Sequence, residues 1–514
     1  MKTSFTSLMI LAVTCCSACN SDTITITYKG NTAEVSTIPN DSVVVSIKNA
    51  DVKVSNNTSG SRFTYVLKGK SDNGTFSLKT TKEDRIELSD LSLTSSEGAA
   101  IIVKGKKKAD SKGVTLFAKS NTDNTITITA CEDTVKHKAA AIHTKGKLNI
   151  TGYGKLSVIA TGKGCKGINV KDDLTISDLT LNVTTSGMYL AEDTTNNGFP
   201  PFNPDDMPEE MKKQFEEMRK KFEEMAKNGE LPTFPGMPQG APNGMPQGAQ
   251  NGMQPAGGGF PPMDGGNGAP APFVKHKYIG KAKAIKSSGI VTIESGIVNV
   301  KTSTPGAEGI EGKKGVVING GEVTVHAVDD AINANAPIYF NGGKTTAISD
   351  SNDAVDANLE GGFPMFGMAN NKPLDSAIFI NGGDIYAWSK AGSPEEGLDC
   401  DFNPIEVADG TSFSIGGGMG ELPSVPTAET AKQPTIVVTQ LDIKAKERID
   451  VYEADAKGKP TGDAVISITP DFDFRGSASL ITSPSFKIGK KYVVKSKSLT
   501  RTVELKEQFT ICRP

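Results

Sequence analysis

Neither sign of charge dominates this sequence: 56 Lys and Arg stand against 59 Asp and Glu, a net charge of −3. A nucleic-acid binder carries a basic excess, so that class of partner is excluded. Helix-favouring composition is also missing. The 54 Gly and 28 Pro are 82 of 514 residues, which excludes a long helical bundle or coiled coil. Cysteine is sparse beyond the first twenty residues. Cys131, Cys165, Cys400 and Cys512 lie far apart with no C-x-x-C spacing, which argues against a zinc site. They are expected to be small buried residues, with a Cys131–Cys165 disulfide as the alternative in an exported protein. No stretch of about 18 apolar residues occurs, so no segment is expected to span a bilayer.

The amino-terminal segment has a different character. Lys2, the short apolar run Leu8–Val13 and the small residues before Cys19 make a secretory signal over 1–18. Ser17-Ala18-Cys19 is a lipoprotein-type cleavage box, and the polar Asn20-Ser21-Asp22 follows it as a tether. Cys19 is the expected lipid attachment site, with Cys15 or Cys16 as alternatives. A lipidated cysteine anchors a chain to a membrane without a spanning helix. The expected location is therefore the bacterial outer membrane or cell surface.

Much of the Gly and Pro is concentrated. Residues 229–272 hold 12 Gly and 10 Pro, a composition that cannot bury enough surface to fold. Before it, Met207, Met211, Phe215, Met218, Phe222 and Met225 recur at helical spacing. Together they predict an insertion over 191–275 with one amphipathic helix and a disordered Gly/Pro/Met-rich stretch. It separates N-terminal strands and first repeats (19–190) from acidic repeats (276–418), and a β-rich region (419–514) follows.

Outside the insertion, short β-branched runs recur around one apolar position: Ile142, Ile168, Ile285, Ile310, Ile332, Val355 and Leu398. The uninterrupted steps are 26, 25, 22 and 23 residues, and Asn-Gly-Gly turns follow at 319–321, 341–343 and 381–383. This periodicity predicts an all-β chain folded as a right-handed parallel β-helix. The position two after the anchor is small or inward-facing, ending at Cys400.

In such a solenoid, equivalent residues stack about 4.8 Å apart. Two positions before the anchor, the column runs Ala140, Lys166, Lys283, Glu308, Asp330, Asp353, Glu396. One position after it, the column runs His143, Asn169, Lys286, Glu311, Asn333, Asp356, Asp399. The last four repeats are acidic, with Asp329 and Asp401 adding oxygens. Carboxylates stacked at this spacing repel, and a hard cation removes the repulsion. The expected metal set is therefore Glu308, Glu311, Asp329, Asp330, Asn333, Asp353, Asp356, Glu396, Asp399 and Asp401. Calcium is the expected ion because it accepts six to eight oxygen ligands. The alternative is a solvated acidic edge.

A second column is aromatic. Tyr386 and Trp388, the only tryptophan, are two residues apart and in line with Ile348. On an exposed face these three would form a sugar-stacking platform; the alternative is burial beneath the insertion or the C-terminal region.

Catalytic signatures are poor. The four histidines form no triad pattern, there is no phosphate loop, and no Arg lies between Arg219 and Arg448 to act as a lyase base. Lys313, Lys314 and Lys344 are the remaining base candidates, and no catalytic residue is assigned.

Five segments carry a family likeness: Ser95–Ile101, Ala141–Gly146, Lys166–Asp173, Asp329–Ala334 and Asn319-Gly320-Gly321. In these the chain resembles the bacterial calcium-binding, carbohydrate-binding β-helix family related in fold to pectate lyases. The resemblance covers roughly residues 40–490. It implies polysaccharide binding without clear catalysis, with calcium held at Asp330, Asn333, Asp353, Asp356, Glu396 and Asp399. The chain departs from the family at Lys166, Lys283 and Lys286, where acidic residues would be expected. The expectation is thus a surface lipoprotein that binds polysaccharide with calcium on its repeats. A calcium-dependent polysaccharide lyase and a structural adhesin with a protein partner are the alternatives.

Overall fold

The computed structural model describes residues 22–36, 38, 40–105, 113–130, 140–187, 190–194, 275–280, 282–359, 375–401, 403–418 and 423–514. Cys19, Cys131, the Met-rich helix and the Gly/Pro-rich stretch lie outside these residues. The chain divides into two compact units, one of Met1–Ala191 with Tyr278–Pro514 and the other of Glu192–Lys277. The described residues of the second unit fall in strands Leu190–Thr194 and Lys275–Gly280, which pair as a two-stranded sheet.

Among the described residues every regular element is a strand. The main unit is built on an 11-stranded and a 23-stranded sheet, both dominated by parallel pairing. Parallel strands buried on one side need β-branched and aliphatic residues, which these segments supply. Most repeats contribute one strand to the smaller sheet and two to the larger. The repeat that begins with Glu308–Gly312 continues through Val316–Ile318 and Glu322–Ala327.

The anchor column is a register column. Ile142 pairs with Ile168, and the line continues through Ile285, Ile310, Ile332, Val355 and Leu398. It also extends backwards through Ile101 and Phe76 to Val52, three repeats too irregular to recognise from spacing alone. The anchors from Ile142 to Val355 are fully buried, and Leu398 is nearly so. Cys400, two residues after the last anchor, is also fully buried, with its thiol pushed up by burial and by Asp399. Cys165 is buried too.

The Asn-Gly-Gly turns have a steric cause. The second glycine of each, Gly321, Gly343 and Gly383, has φ between 75° and 84°. A Cβ there would lie 2.4–2.6 Å from the carbonyl oxygen of the equivalent glycine in the preceding repeat.

The C-terminal region closes the end of the larger sheet. Phe474–Thr482 pairs antiparallel with Thr411–Phe413, the last strand of the parallel series, and with Thr435–Ile443. A separate four-stranded antiparallel sheet follows, from Ile449–Ala454, Pro460–Ile468, Lys491–Lys495 and Thr500–Glu504. Pairing the final edge removes a template for aggregation.

Candidate functional site

The two charged columns lie three residues apart in sequence, so simple alternation would place them on opposite faces. The structure puts them on one face. The reason is a third column, one residue before the anchor: Ala141, Gly167, Ala284, Gly309, Ala331, Ala354 and Gly397. These small residues also turn inward. A Cβ on Gly309 would lie 2.4 Å from Ala331 O and 2.4 Å from Val325 Cγ1, and Gly167 and Gly397 are similarly confined. Two successive inward positions, small residue then anchor, leave the flanking polar residues side by side outside. This all-small column was readable in the sequence but is conspicuous only once the register is known.

The middle repeats of this face pair lysines with glutamates. Lys283 pairs with Glu308 and also with Glu311, at 2.9 Å. Lys286 and Lys313 pair with Glu311 as well, Lys313 at 2.8 Å. Burial pushes the Glu311 carboxyl up, but Lys283, Lys286 and Lys313 outweigh it and hold it down to about 2. Burial and the neighbouring Lys286 and Lys283 push Lys166 down to about 8. Glu308 and Glu311 are thus paired with ammonium groups.

The next three repeats hold acids without lysines. Asp330, Asp353 and Asp356 each offer an oxygen within 4.8 Å of the others, and each is buried. Asn333 bridges them, donating from Nδ2 to Asp330 Oδ2 at 2.8 Å and to Asp356 Oδ2 at 2.9 Å. Asn352 donates to Asp329 Oδ1 at 2.9 Å and Asp330 Oδ1 at 2.6 Å, and Asn358 donates to Asp356 Oδ2. Asp356 Oδ1 is buried with no hydrogen-bond partner. One repeat on, the Glu396 backbone N–H donates to Asp353 Oδ1. Ser424, which sequence spacing did not point to, donates from N to Glu396 Oε2 at 2.6 Å and from Oγ to Asp399 Oδ1 at 3.3 Å. Asp401 sits at the edge, its N–H donating to Asp399 Oδ1 at 3.1 Å.

The electrostatics express this crowding. Burial, with Asp399, Asp356 and Asp330 nearby, pushes the Asp353 carboxyl up to about 10. Asp356 is driven well above the usual carboxylate range by burial and by Asp330, Asp399 and Asp401. Burial and Asp399 push Glu396 up to about 8. Three amides, three backbone N–H groups and one hydroxyl do not compensate this many carboxylates, so the cluster is protonated or needs a cation. Its donor set is all oxygen, which suits a hard divalent ion.

The aromatic column does not behave as an exposed platform. Trp388 is only 9% exposed, packed with Phe413, Ile415 and Ile436, and its Nε1 donates to Phe413 O at 3.1 Å. Ile348 and Tyr386 pack partly buried against the same C-terminal core. The expectation of an exposed Tyr386–Trp388–Ile348 surface is therefore corrected: the C-terminal strands cover it. His326 is paired with Asp350 at 2.8 Å, which also takes Lys390 at 2.7 Å, so neither residue joins the acidic cluster.

Comparison with known proteins gives two findings. Residues 22–192 and 276–357 match the model of a family described as carbohydrate-binding domain-containing proteins. A solved structure, a gadolinium derivative of a polysaccharide lyase-like protein from C. thermocellum, aligns at 16% identity and a TM-score of 0.37. The alignment covers 65% of this chain and 92% of that one. No curated protein matches the chain.

Proposed function

We propose that this protein is a polysaccharide-binding surface lipoprotein whose repeats close as a right-handed parallel β-helix, with calcium bound within its acidic repeats. The family match over both halves of the repeat region carries the carbohydrate reading. The right-handed preference of parallel crossovers favours the handedness. The lipid anchor rests on Cys19 and the small residues before it.

The calcium reading rests on the Asp330/Asp353/Asp356 cluster and the unmet Asp356 Oδ1. Asp330, Asp353 and Asp356 would hold the ion, with Glu396 and Asp399 in the next repeat. Asn333 would join by turning its amide over to present oxygen instead of NH2. Asp330, Asp353, Asp356 and Glu396 are 5–7% exposed, and Asn333 and Asp399 are partly buried, so the ion would neutralise and tie together successive repeats, with little of it open to an acidic sugar. When bound it supplies positive charge where the fold has stacked carboxylates, and these residues orient one another around it.

Calorimetric titration of chelator-stripped protein should show calcium binding with a rise in melting temperature. Absence of both would remove the metal from the reading. A glycan array should show binding to one or more polysaccharides; a blank array would favour a protein partner.

A further inference from the structure

The buried Trp388 leaves the carbohydrate reading without a sugar surface, and the structure offers another. In the series of three-residue strands, the middle residue faces outward between two buried ones. Through the register this outward column runs Thr175, Thr292, Val317, Tyr339, Phe379, Glu406. Tyr339 and Phe379 are half-buried, and their rings are stacked, with centroids 4.6 Å apart and planes within 16°. Their spacing is close to that of the strands themselves, so the rings lie face to face along the direction in which the repeats stack and turn their edges outward.

The rim beside them is an amide ladder. Two residues after each ring come Asn341 and Asn381, both exposed at the turns. Asn319 donates to Glu294 Oε2 at 2.8 Å, Asn341 to Asn319 Oδ1 at 2.8 Å and Asn381 to Asn341 Oδ1 at 2.9 Å. The donors run in one direction, and among the described residues no donor meets Asn381 Oδ1. On the far side, Glu406 is neutralised by Lys432.

We infer that the Tyr339–Phe379 stack, rimmed by Asn341 and Asn381, is a subsite for the pyranose rings of a polysaccharide running along the direction in which the repeats stack. A sugar ring has an apolar C–H face that can lie across the paired apolar ring edges and hydroxyls that need amide partners, and this surface supplies both. A protein partner is the weaker fit. Stable protein interfaces bury about 800 Å² on each side, whereas here the aromatic area is two rings set among Thr, Asn and a neutralised Glu. The inference rests on the carbohydrate reading and adds to it a location and an orientation, well apart in sequence register from the acidic columns.

The test compares the intact protein with a Tyr339→Ala/Phe379→Ala variant and, separately, with Asn381→Ala. Each is titrated with the polysaccharides that bind the wild type. The double variant should lose at least about tenfold in affinity and Asn381→Ala several-fold, while Phe379→Tyr keeps binding. Calcium affinity should stay at the wild-type value and unfolding should stay cooperative, with melting lowered by only a few degrees in the double variant, which separates loss of the subsite from loss of the fold. Wild-type affinity in both the double variant and Asn381→Ala overturns the subsite but leaves the carbohydrate reading standing. A wild type that binds no polysaccharide overturns both.

Discussion

Asp356 is the residue on which the acidic cluster turns. It is 7% exposed, one of its oxygens has no partner, and three other acids raise its proton affinity. Replacing it by Asn removes a buried charge but keeps the shape. In chelator, Asp356→Asn should melt about 2–4 °C above the wild type, because repulsion is relieved. In calcium the order should reverse, because the ion loses a ligand. Melting curves in the two buffers check both; a variant below the wild type in chelator would mean that the acids are not in conflict. Glu311 is the opposite case. It holds three lysines, so Glu311→Gln should cost about 3–5 kcal/mol in urea unfolding, with part recovered by adding Lys286→Met.

At the scale of the element, the acidic strands set a pH dependence. The folded-state pKa values of Asp353 and Glu396 are raised to about 10 and about 8, against about 4 for an unfolded carboxylate. Their contribution to stability is therefore complete below about pH 4. It is lost as pH rises, fully by about 8 for Glu396 and about 10 for Asp353. Metal-free protein should unfold more easily at pH 9 than at pH 6, and saturating calcium should flatten that slope. Denaturant midpoints at the two pH values, with and without calcium, measure it; a midpoint independent of pH in chelator would contradict the cluster. The strand geometry rests on the column of small residues one before the anchor. Gly309→Val should cost about 1–3 kcal/mol or more, since its side chain would meet Ala331 O and Val325.

At the scale of the whole molecule, the C-terminal strands and the last repeats share one core. Trp388 sits in that shared core and is the sole tryptophan, so its fluorescence reports on the docking of the C-terminal region. Native protein should show blue emission that iodide quenches weakly, shifting red in the same transition that melts the sheets. Strong native quenching would place Trp388 in solvent and restore the aromatic surface it was expected to form.

The periodic core was decided by local sequence. Anchors 22–26 residues apart, β-branched neighbours and Asn-Gly-Gly turns each act within one repeat, and one repeat's register against the next follows from which residues must be buried. The identity of the acidic columns was equally local, because stacking follows from the period. Three outcomes depended on contacts distant in sequence. Glu308 and Glu311 are claimed by Lys283 and Lys286 from the preceding repeat, with Lys313 of their own repeat added at Glu311, so the acidic run is shorter electrostatically than it is in sequence. Trp388 is covered by strands that begin almost 50 residues later, so alternation along its own strand could not tell an exposed ring from an interface ring. The stack of Tyr339 on Phe379 joins residues 40 apart across an irregular repeat. A repeat's own residues set its strands and its register, but which outward side chains meet solvent, a counter-charge or another part of the chain is a property of the assembled surface.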